Sequence, residues 1–355
     1  MKGLVLAGGS GKRLRPLTHS GPKQLVPVAN RPILHYVIES LVQAGIRDIV
    51  VVVSPQTRDE VQQALAGDLG ARFQLVLQDA PLGLAHAAKV AEPVLAGSDF
   101  CMYLGDNLLG ASIRPMVQKF AASKDVDASL LLKEVPNPSA FGVAEVDALG
   151  NVVHLVEKPE RPRSNLALVG VYLFRSSVFD VIADLTPSAR GELEITDAVS
   201  GLMRRGKKVC FDRVDGWWLD TGKKDDLIHA NEVVLRDRLE PGIEGDVDGE
   251  TRIEGRVRVE AGAVVRRSVL VGPAIVGAGC RIEDAHVGPF VSVGARTVIE
   301  RSRIQSTVLL EGGVVRDVPL LSSSVVGRRV IVEASTTPGL SLMVGDDCRV
   351  EVTKP

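Results

Sequence analysis

Val265-Arg266-Arg267-Ser268-Val269-Leu270-Val271-Gly272-Pro273-Ala274-Ile275-Val276-Gly277 holds the spacing from which the second half of the fold can be read. Aliphatic residues recur about every sixth position, and the same beat runs on both sides of this stretch. It passes through Ile253, Val259, Val265, Val271, Val276, Ile282, Val287, Val293, Ile299 and Ile304, with occasional five-residue steps. A glycine often follows directly, as at Gly272, Gly277, Gly288, Gly294 and Gly327. Such a hexad predicts short strands on the three sides of a triangular, left-handed parallel β-helix, each aliphatic residue stacking on its equivalent one coil away. Aromatic content agrees, because Phe290 is the only ring after Trp218 and thin aliphatic layers leave little room for rings. A β-sandwich would instead alternate with period two and carry turn signals every 8–12 residues or so.

Working back from this repeat, the three glycines Gly242, Gly245 and Gly249 after Glu240-Pro241 read as a linker over 241–252, with the hexapeptide-repeat domain occupying 253–355. Before it, residues 1–240 alternate short β-rich runs with helical patterns, which predicts an α/β domain, Rossmann-like, with a mixed and mostly parallel sheet. Its clearest strands are expected at Lys2–Leu6, Ile49–Ser54, Phe73–Leu77, Phe100–Leu104, Ala128–Glu134 and Val169–Phe174. One helix is expected over Ile33–Ala44, with Ile33, Val37, Leu41 and Ala44 on one face, and a closing helix over Lys223–Leu239.

A chain of 355 residues exceeds the size at which one core usually stops growing, which fits two domains. A net charge of -2 gives no electrostatic case for nucleic acid or an anionic membrane, so any phosphate must be held by a local site. The apolar run at the N-terminus is too short for a signal peptide and no later stretch approaches a membrane span, so a cytoplasmic protein is expected. The cysteines Cys101, Cys210, Cys280 and Cys348 show no CxxC spacing and are read as reduced core thiols.

The chemistry begins at Leu4-Val5-Leu6-Ala7-Gly8-Gly9-Ser10-Gly11-Lys12-Arg13-Leu14-Arg15-Pro16-Leu17, an apolar strand opening into glycines and then basic residues. Glycines let the backbone approach a phosphate, consecutive N–H groups can chelate it, and arginine adds a charged fork. A P-loop would need glycine at Leu6 and a hydroxyl residue at Arg13, and a dinucleotide fingerprint starting at Gly9 would need glycine at Leu14; neither is met.

This segment, continued by Thr18 and by Pro22-Lys23-Gln24-Leu25-Val26-Pro27-Val28, resembles the signature of the sugar-1-phosphate nucleotidylyltransferase family. The form with Lys23-Gln24 is similar to the branch that pairs dTTP with glucose 1-phosphate. The resemblance continues through Gln78-Asp79-Ala80-Pro81-Leu82-Gly83-Leu84-Ala85, Leu104-Gly105-Asp106-Asn107, Phe141-Gly142-Val143 and Val156-Glu157-Lys158-Pro159. It ends with Arg190-Gly191-Glu192-Leu193-Glu194-Ile195-Thr196-Asp197 and Trp218-Leu219-Asp220-Thr221-Gly222. The β-helix is similar to the tail of the family's longer members.

The resemblance implies a division of labour. Asp106 and Asp220 hold Mg²⁺, a hard cation that takes a few carboxylates plus phosphate oxygens. Arg13 and Lys23 grip the triphosphate, in a nucleotide site completed by Leu6, Gly8, Gly9, Gly11, Gln24, Gln78, Pro81, Gly83 and Asp106. Lys158 and Arg190 hold the sugar phosphate, with Asn107, Gly142, Glu157 and Leu168 around the sugar. Departures from the usual pattern are Lys12, Phe141 and Val169, where threonine, tyrosine and threonine are common.

The implied reaction is in-line attack by a sugar-phosphate oxygen on the α-phosphorus of dTTP, giving dTDP-glucose and pyrophosphate. Other readings remain open: the same chemistry with UTP and glucose 1-phosphate or GTP and mannose 1-phosphate, or an added acyltransferase on the β-helix with His286 as base. A noncatalytic sensor should have lost the metal carboxylates or phosphate-binding charges, all of which are present. The expected partners are dTTP and glucose 1-phosphate, with no nucleic acid and no membrane; β-helices commonly assemble, so a homo-oligomer is expected.

Overall fold

The structure, a computed structural model, describes every residue except 10, 20, 96, 335–347, 350 and 352–355. Ser10 of the glycine-rich turn and the end of the expected β-helix region therefore lie outside the described residues. In chain order the elements are β1 (Lys2–Leu6), β2 (Pro27–Val28), β3 (Arg31–Pro32), α1 (Ile33–Gln43), β4 (Asp48–Val53), α2 (Arg58–Ala64), β5 (Arg72–Leu77), α3 (Leu84–Leu95) and β6 (Phe100–Leu104). They continue with β7 (Asn107–Leu109), α4 (Arg114–Ala122), β8 (Ala128–Glu134), β9 (Gly142–Val146), β10 (Val152–Glu157), β11 (Leu166–Phe174) and α5 (Val178–Ile182). Next come α6 (Ile195–Arg204), β12 (Val209–Arg213), β13 (Trp218–Asp220) and α7 (Lys224–Arg238). The chain divides into two compact units, Met1–Ser10 with Ile33–Asp220, and Gly11–Pro32 with Thr221–Pro355.

The first unit is built on a nine-stranded sheet in the order β10-β9-β11-β6-β1-β4-β5, with β8 joining β11 to β12. Strands β1, β4, β5 and β6 are parallel and β11 runs against β6, so the sheet is mixed as expected. Alternation along β1 covers both faces. Leu4 and Leu6 join a core with Ala88 and Leu95 of α3, Val181 of α5 and Leu202 of α6. Gly3 points the other way, where a Cβ would meet Leu41 of α1 at 3.4 Å. Helix α1 stops where Gly45 takes φ 86, a left-handed conformation that glycine adopts without strain. From β1 the chain passes to β4 and β5 on one side, then returns to β6 on the other. The carboxyl ends of β1 and β6 thus flank a topological switch point, the usual place for a ligand in an open α/β sheet.

In the second unit the repeat closes into three parallel sheets whose inward residues stack in columns. Val259, Val276, Val293, Leu309 and Val326 form one column. Val247, Val265, Ile282, Ile299, Val315 and Val332 form the second. Ile253, Leu270, Val287, Ile304 and Leu321 form the third, each 17 residues after the last. Leu270, wholly buried, takes the inward place expected of Val271, because the five-residue step falls one turn earlier than the spacing suggests. Ile253 caps the open first coil and is 38% exposed.

The segment 241–252 is not a loose linker. Gly242–Ile243 and Asp246–Val247 are already strands of the first coil, paired with Arg258–Val259 and Val264–Val265. Their glycines serve the coil corner: a Cβ on Gly245 would stand 2.7 Å from the Ala263 carbonyl.

At another corner, Arg267, Asp284, Arg301 and Asp317 all take left-handed φ, between 46° and 55°. That conformation costs about 1–2 kcal/mol per residue. Stacking opposite charges offsets part of it, since Arg267 grips Asp284 at 2.8 and 2.9 Å and Arg301 grips Asp317 at 2.6 and 3.0 Å. Cys101 and Cys280 are buried and Cys210 is partly so, but Cys348 is exposed and is not the core thiol expected.

Candidate active site

Within the first unit, the turn after β1 begins where Ala7 N–H donates to the Val52 carbonyl at 2.7 Å. The Leu6 carbonyl accepts from Gly105 N–H at 3.0 Å, which draws the Gly105-Asp106 turn to the end of β1. A Cβ on Gly8 would lie 3.3 Å from Ser54 N and 3.7 Å from Gln78 Oε1, so this glycine leaves room beside the Gln78 carboxamide. Gln78 Nε2 donates to the Gly83 carbonyl at 3.2 Å and lies 3.0 Å from His86 Nδ1. With both amide hydrogens engaged there, Oε1 is left as the group facing the turn. His86, to which the sequence reading gave no role, therefore fixes the orientation of Gln78. Pro81 is exposed at the tip of the same loop.

Asp106 and Asp220 are brought to one end of a small ribbon. Strand β13 runs antiparallel to β7 with Asp220 opposite Asn107, one residue from Asp106. Asn107, expected near the sugar, is almost fully buried and donates Nδ2 to the Val169 carbonyl at 2.8 Å. A Cβ on Gly170 would stand 2.3 Å from that nitrogen, so glycine at 170 admits the tie. No cluster of three or more His, Cys, Asp or Glu suited to a metal occurs among the described residues. A two-carboxylate set fits Mg²⁺, which keeps several non-protein ligands, better than it fits a closed zinc cage.

Among the residues expected around the sugar, Glu157 of β10 pairs with Gly142 of β9, and a Cβ on Gly142 would come within 3.1 Å of Glu157 Oε2 and 2.7 Å of Leu168 Cδ1. Lys158 Nζ lies 3.8 Å from Glu157 Oε1 and Arg190 Nη1 lies 3.5 Å from the same oxygen. Two cations thus meet over one carboxylate. Lys158 takes φ 43, a left-handed value rare for a side-chain-bearing residue, and its N–H is held by the Phe141 carbonyl at 3.0 Å.

Arg190 Nη1 also reaches Glu194 Oε1 at 3.2 Å, and Ser188 Oγ donates to that oxygen at 3.0 Å. The Glu194 side chain is only 4% exposed and had no assigned role; its position before α6 gave no signal. Burial, then the charge of Glu194, pushes the Glu157 carboxyl above its ordinary range, while Lys158 and Arg190 pull it back.

The second unit carries the rest of the expected nucleotide residues. Gly11 takes φ 60, and a Cβ there would crowd Thr18 Cγ2 at 2.8 Å and Lys23 Cβ at 2.9 Å. Glycine at 11 therefore lets the stem of Lys23 pack against the turn. Thr18 Oγ1 donates to the Gly11 carbonyl at 2.8 Å, closing the loop that bears the exposed Arg13. Gln24 is 2% exposed and its Oε1 has no hydrogen-bond partner among the described residues. A buried acceptor left in that state is costly unless a ligand donor meets it.

His286 lines a shallow groove of about 440 Å³ on the β-helix with Asp284, Arg301 and Arg303, and Arg301 is already committed to Asp317. No helix among the described residues is long and apolar enough to cross a membrane.

A mixed sheet with its switch point beside glycine turns, paired carboxylates and paired cations is the frame of a nucleotidyl-transferring enzyme. The chain belongs to the nucleotidyl transferase family, whose profile matches residues 2–237. It is 44% identical over 359 residues to the glucose-1-phosphate thymidylyltransferase of Streptomyces griseus, covering 99% of this chain and 100% of that protein. It is 45% identical over 358 residues to the enzyme of the same name from Streptomyces antibioticus, covering 99% of each. The fold is also that of a Bacillus anthracis protein described as a glucose-1-phosphate thymidylyltransferase and crystallised with sucrose. That structure is 36% identical, with a TM-score of 0.63 over 68% of this chain and 97% of its own.

Proposed function

We propose that the protein transfers a thymidylyl group from dTTP to glucose 1-phosphate, releasing pyrophosphate. The observation that carries this reading is the meeting of Lys158 and Arg190 over the Glu157 carboxylate beside Gly142. Two cations at one point suit a phosphate dianion, and the Glu157 carboxylate, held close against a glycine that no other residue could replace without a clash, suits sugar hydroxyls. Similarity to relatives of that name over nearly the whole chain supports the same substrates.

In this reading the sugar phosphate is both anchor and nucleophile. Lys158 and Arg190 hold it and lower its repulsion from the triphosphate; no general base is needed, since a phosphate oxygen is already ionised at neutral pH. Arg13 and Lys23 take the β- and γ-phosphates, where charge grows as pyrophosphate departs. Gln24 Oε1 accepts from the thymine N3–H and Gln78 completes the selection of the base, with the backbone of Gly83 held close by. Asp106 and Asp220 would hold Mg²⁺, which supplies charge neutralisation on the phosphates. Residues 1–240 form the catalytic domain in this reading, in keeping with the span of the family match.

Pyrophosphate release measured for dTTP, UTP, GTP, CTP and ATP, each with glucose, mannose and galactose 1-phosphate, tests it. Highest kcat/KM with dTTP and glucose 1-phosphate is expected. A preference for UTP would move the assignment of the base, and no release with any pair would remove the activity.

A further inference from the structure

The hairpin that follows Lys23 and Gln24 ends in a two-residue tip, Ala29-Asn30, between β2 and β3. Both tip residues have positive φ, 48° and 60°, as a tight turn between such strands requires. Alanine is a poor choice for that backbone, so surrounding contacts must hold it. They come from two places in the same compact unit. Ala29 N–H donates to Asn231 Oδ1 of α7 at 2.9 Å, and the Ala29 methyl packs on Leu235, Leu239 and Ile275. Asn30 Nδ2 donates to the Val293 carbonyl of the β-helix at 2.7 Å.

Asn231 joins the two sides. It is 1% exposed on the buried stripe of a helix whose other buried positions are aliphatic apart from it. Its Oδ1 also accepts from Ser292 Oγ at 2.6 Å, and Nδ2 reaches the Phe290 carbonyl at 3.4 Å. One buried carboxamide therefore ties helix, hairpin and β-helix together, where an apolar residue would have packed at lower desolvation cost.

We propose that Asn231, with Asn30, is a positioning residue: it anchors the segment bearing Arg13, Lys23 and Gln24 to the β-helix, so that this domain sets triphosphate affinity without touching substrate. The inference rests on the reading above, in which that segment holds the triphosphate. Gly11 extends the chain of contacts, since its lack of a Cβ seats the Lys23 stem. Releasing the tip frees the hairpin, and the ordering of Lys23 and Gln24 must then be supplied by the nucleotide on binding.

The test is steady-state kinetics of Asn231→Ala and Asn30→Gly in the full chain, with Lys23→Ala as reference. Asn30→Gly keeps the left-handed backbone open and removes only the bond to Val293, so it decides the matter if Asn231→Ala fails to fold. About tenfold higher KM for dTTP is expected in Asn231→Ala and severalfold in Asn30→Gly, with KM for glucose 1-phosphate within about twofold of the parent. A dTTP KM unchanged in both folded variants overturns the inference, as does an equal rise for both substrates. If Lys23→Ala itself leaves the dTTP KM unchanged, the assignment of the segment to the triphosphate fails and the inference falls with it. A normal loss in Lys23→Ala with silent anchors sinks the anchoring alone.

Discussion

Gly83 lies against the backbone of Leu193 so closely that a Cβ added to it would stand 2.4 Å from the Leu193 carbonyl oxygen and 2.8 Å from its nitrogen. The neighbouring residues close the same seam, Leu193 N–H donating to Leu82 at 2.8 Å and Ala85 N–H to Leu193 at 3.0 Å. The loop expected to meet the base and the one expected to meet the sugar phosphate are thus one clasp.

Gly83→Ala forces that clasp open, and φ 103 at this position adds backbone strain. We expect a stability loss of about 2 kcal/mol or more and at least tenfold lower kcat/KM for both substrates. Thermal melting and two-substrate kinetics check it; a loss confined to one substrate would show that the two loops act separately.

Asp220→Asn should leave the fold intact, since β13 keeps its pairing with β7, while turnover falls by about two orders of magnitude or more. Rates across a Mg²⁺ titration decide this, and near-parental turnover at any Mg²⁺ concentration would remove Asp220 from the metal site.

If Lys158 holds the sugar phosphate as proposed, Lys158→Ala should remove a charged contact worth ~1.5–3 kcal/mol, about ten- to a hundredfold in kcat/KM for glucose 1-phosphate. Calorimetry with dTTP alone should show little change, because Arg13 and Lys23 remain. Equal losses for both ligands would mean that the basic residues are divided differently.

Glu157 carries a pH signature. Its carboxyl is raised from the ordinary 4.5, by burial first and by Glu194 second, with Lys158 and Arg190 opposing. A raised carboxyl favours the protonated form in the fold, so its contribution to stability is complete below 4.5 and is lost as pH rises through the folded value. Activity runs the other way, failing as acid neutralises the charge that aligns Lys158 and Arg190. Glu157→Gln should therefore be less active, lose the acid limb of the kcat/KM profile and melt higher than the parent at pH 8 or so. An acid limb that survives in Glu157→Gln assigns it to another group.

Much of this architecture can be read from spacing alone. Lys2–Leu6, Phe100–Leu104 and Ala128–Glu134 begin and end at the expected residues because each is an apolar run bounded by turn-formers. The columns of the β-helix are legible for the same reason, save where Leu270 replaces Val271 at a five-residue step. What stayed hidden depends on residues remote in the chain. His86 matters through Gln78, Glu194 through Arg190, and neither has a local pattern that separates it from an ordinary surface residue. The same holds for Asn30 and Val293, whose hydrogen bond spans most of the chain and leaves no periodic trace. The strands at Gly242–Ile243 and Asp246–Val247 were obscured because glycine marks a coil corner as readily as a flexible joint.

The seat of the Ala29-Asn30 tip also limits how the repeat can grow. Helix α7 leads straight into the first coil, yet the partners lie farther along the same sheet, Val293 accepting from Asn30 and Ser292 donating to Asn231, after the strands beginning at Gly242, Val257 and Ala274. A coil duplicated beyond Val326 would lengthen the prism and leave the seat untouched. One inserted before Val291 would carry Ser292 away from Asn231 and Val293 away from Asn30 by about 4.8 Å, more than a hydrogen bond can span. Gene duplication in this array is therefore free at its far end and barred near its root.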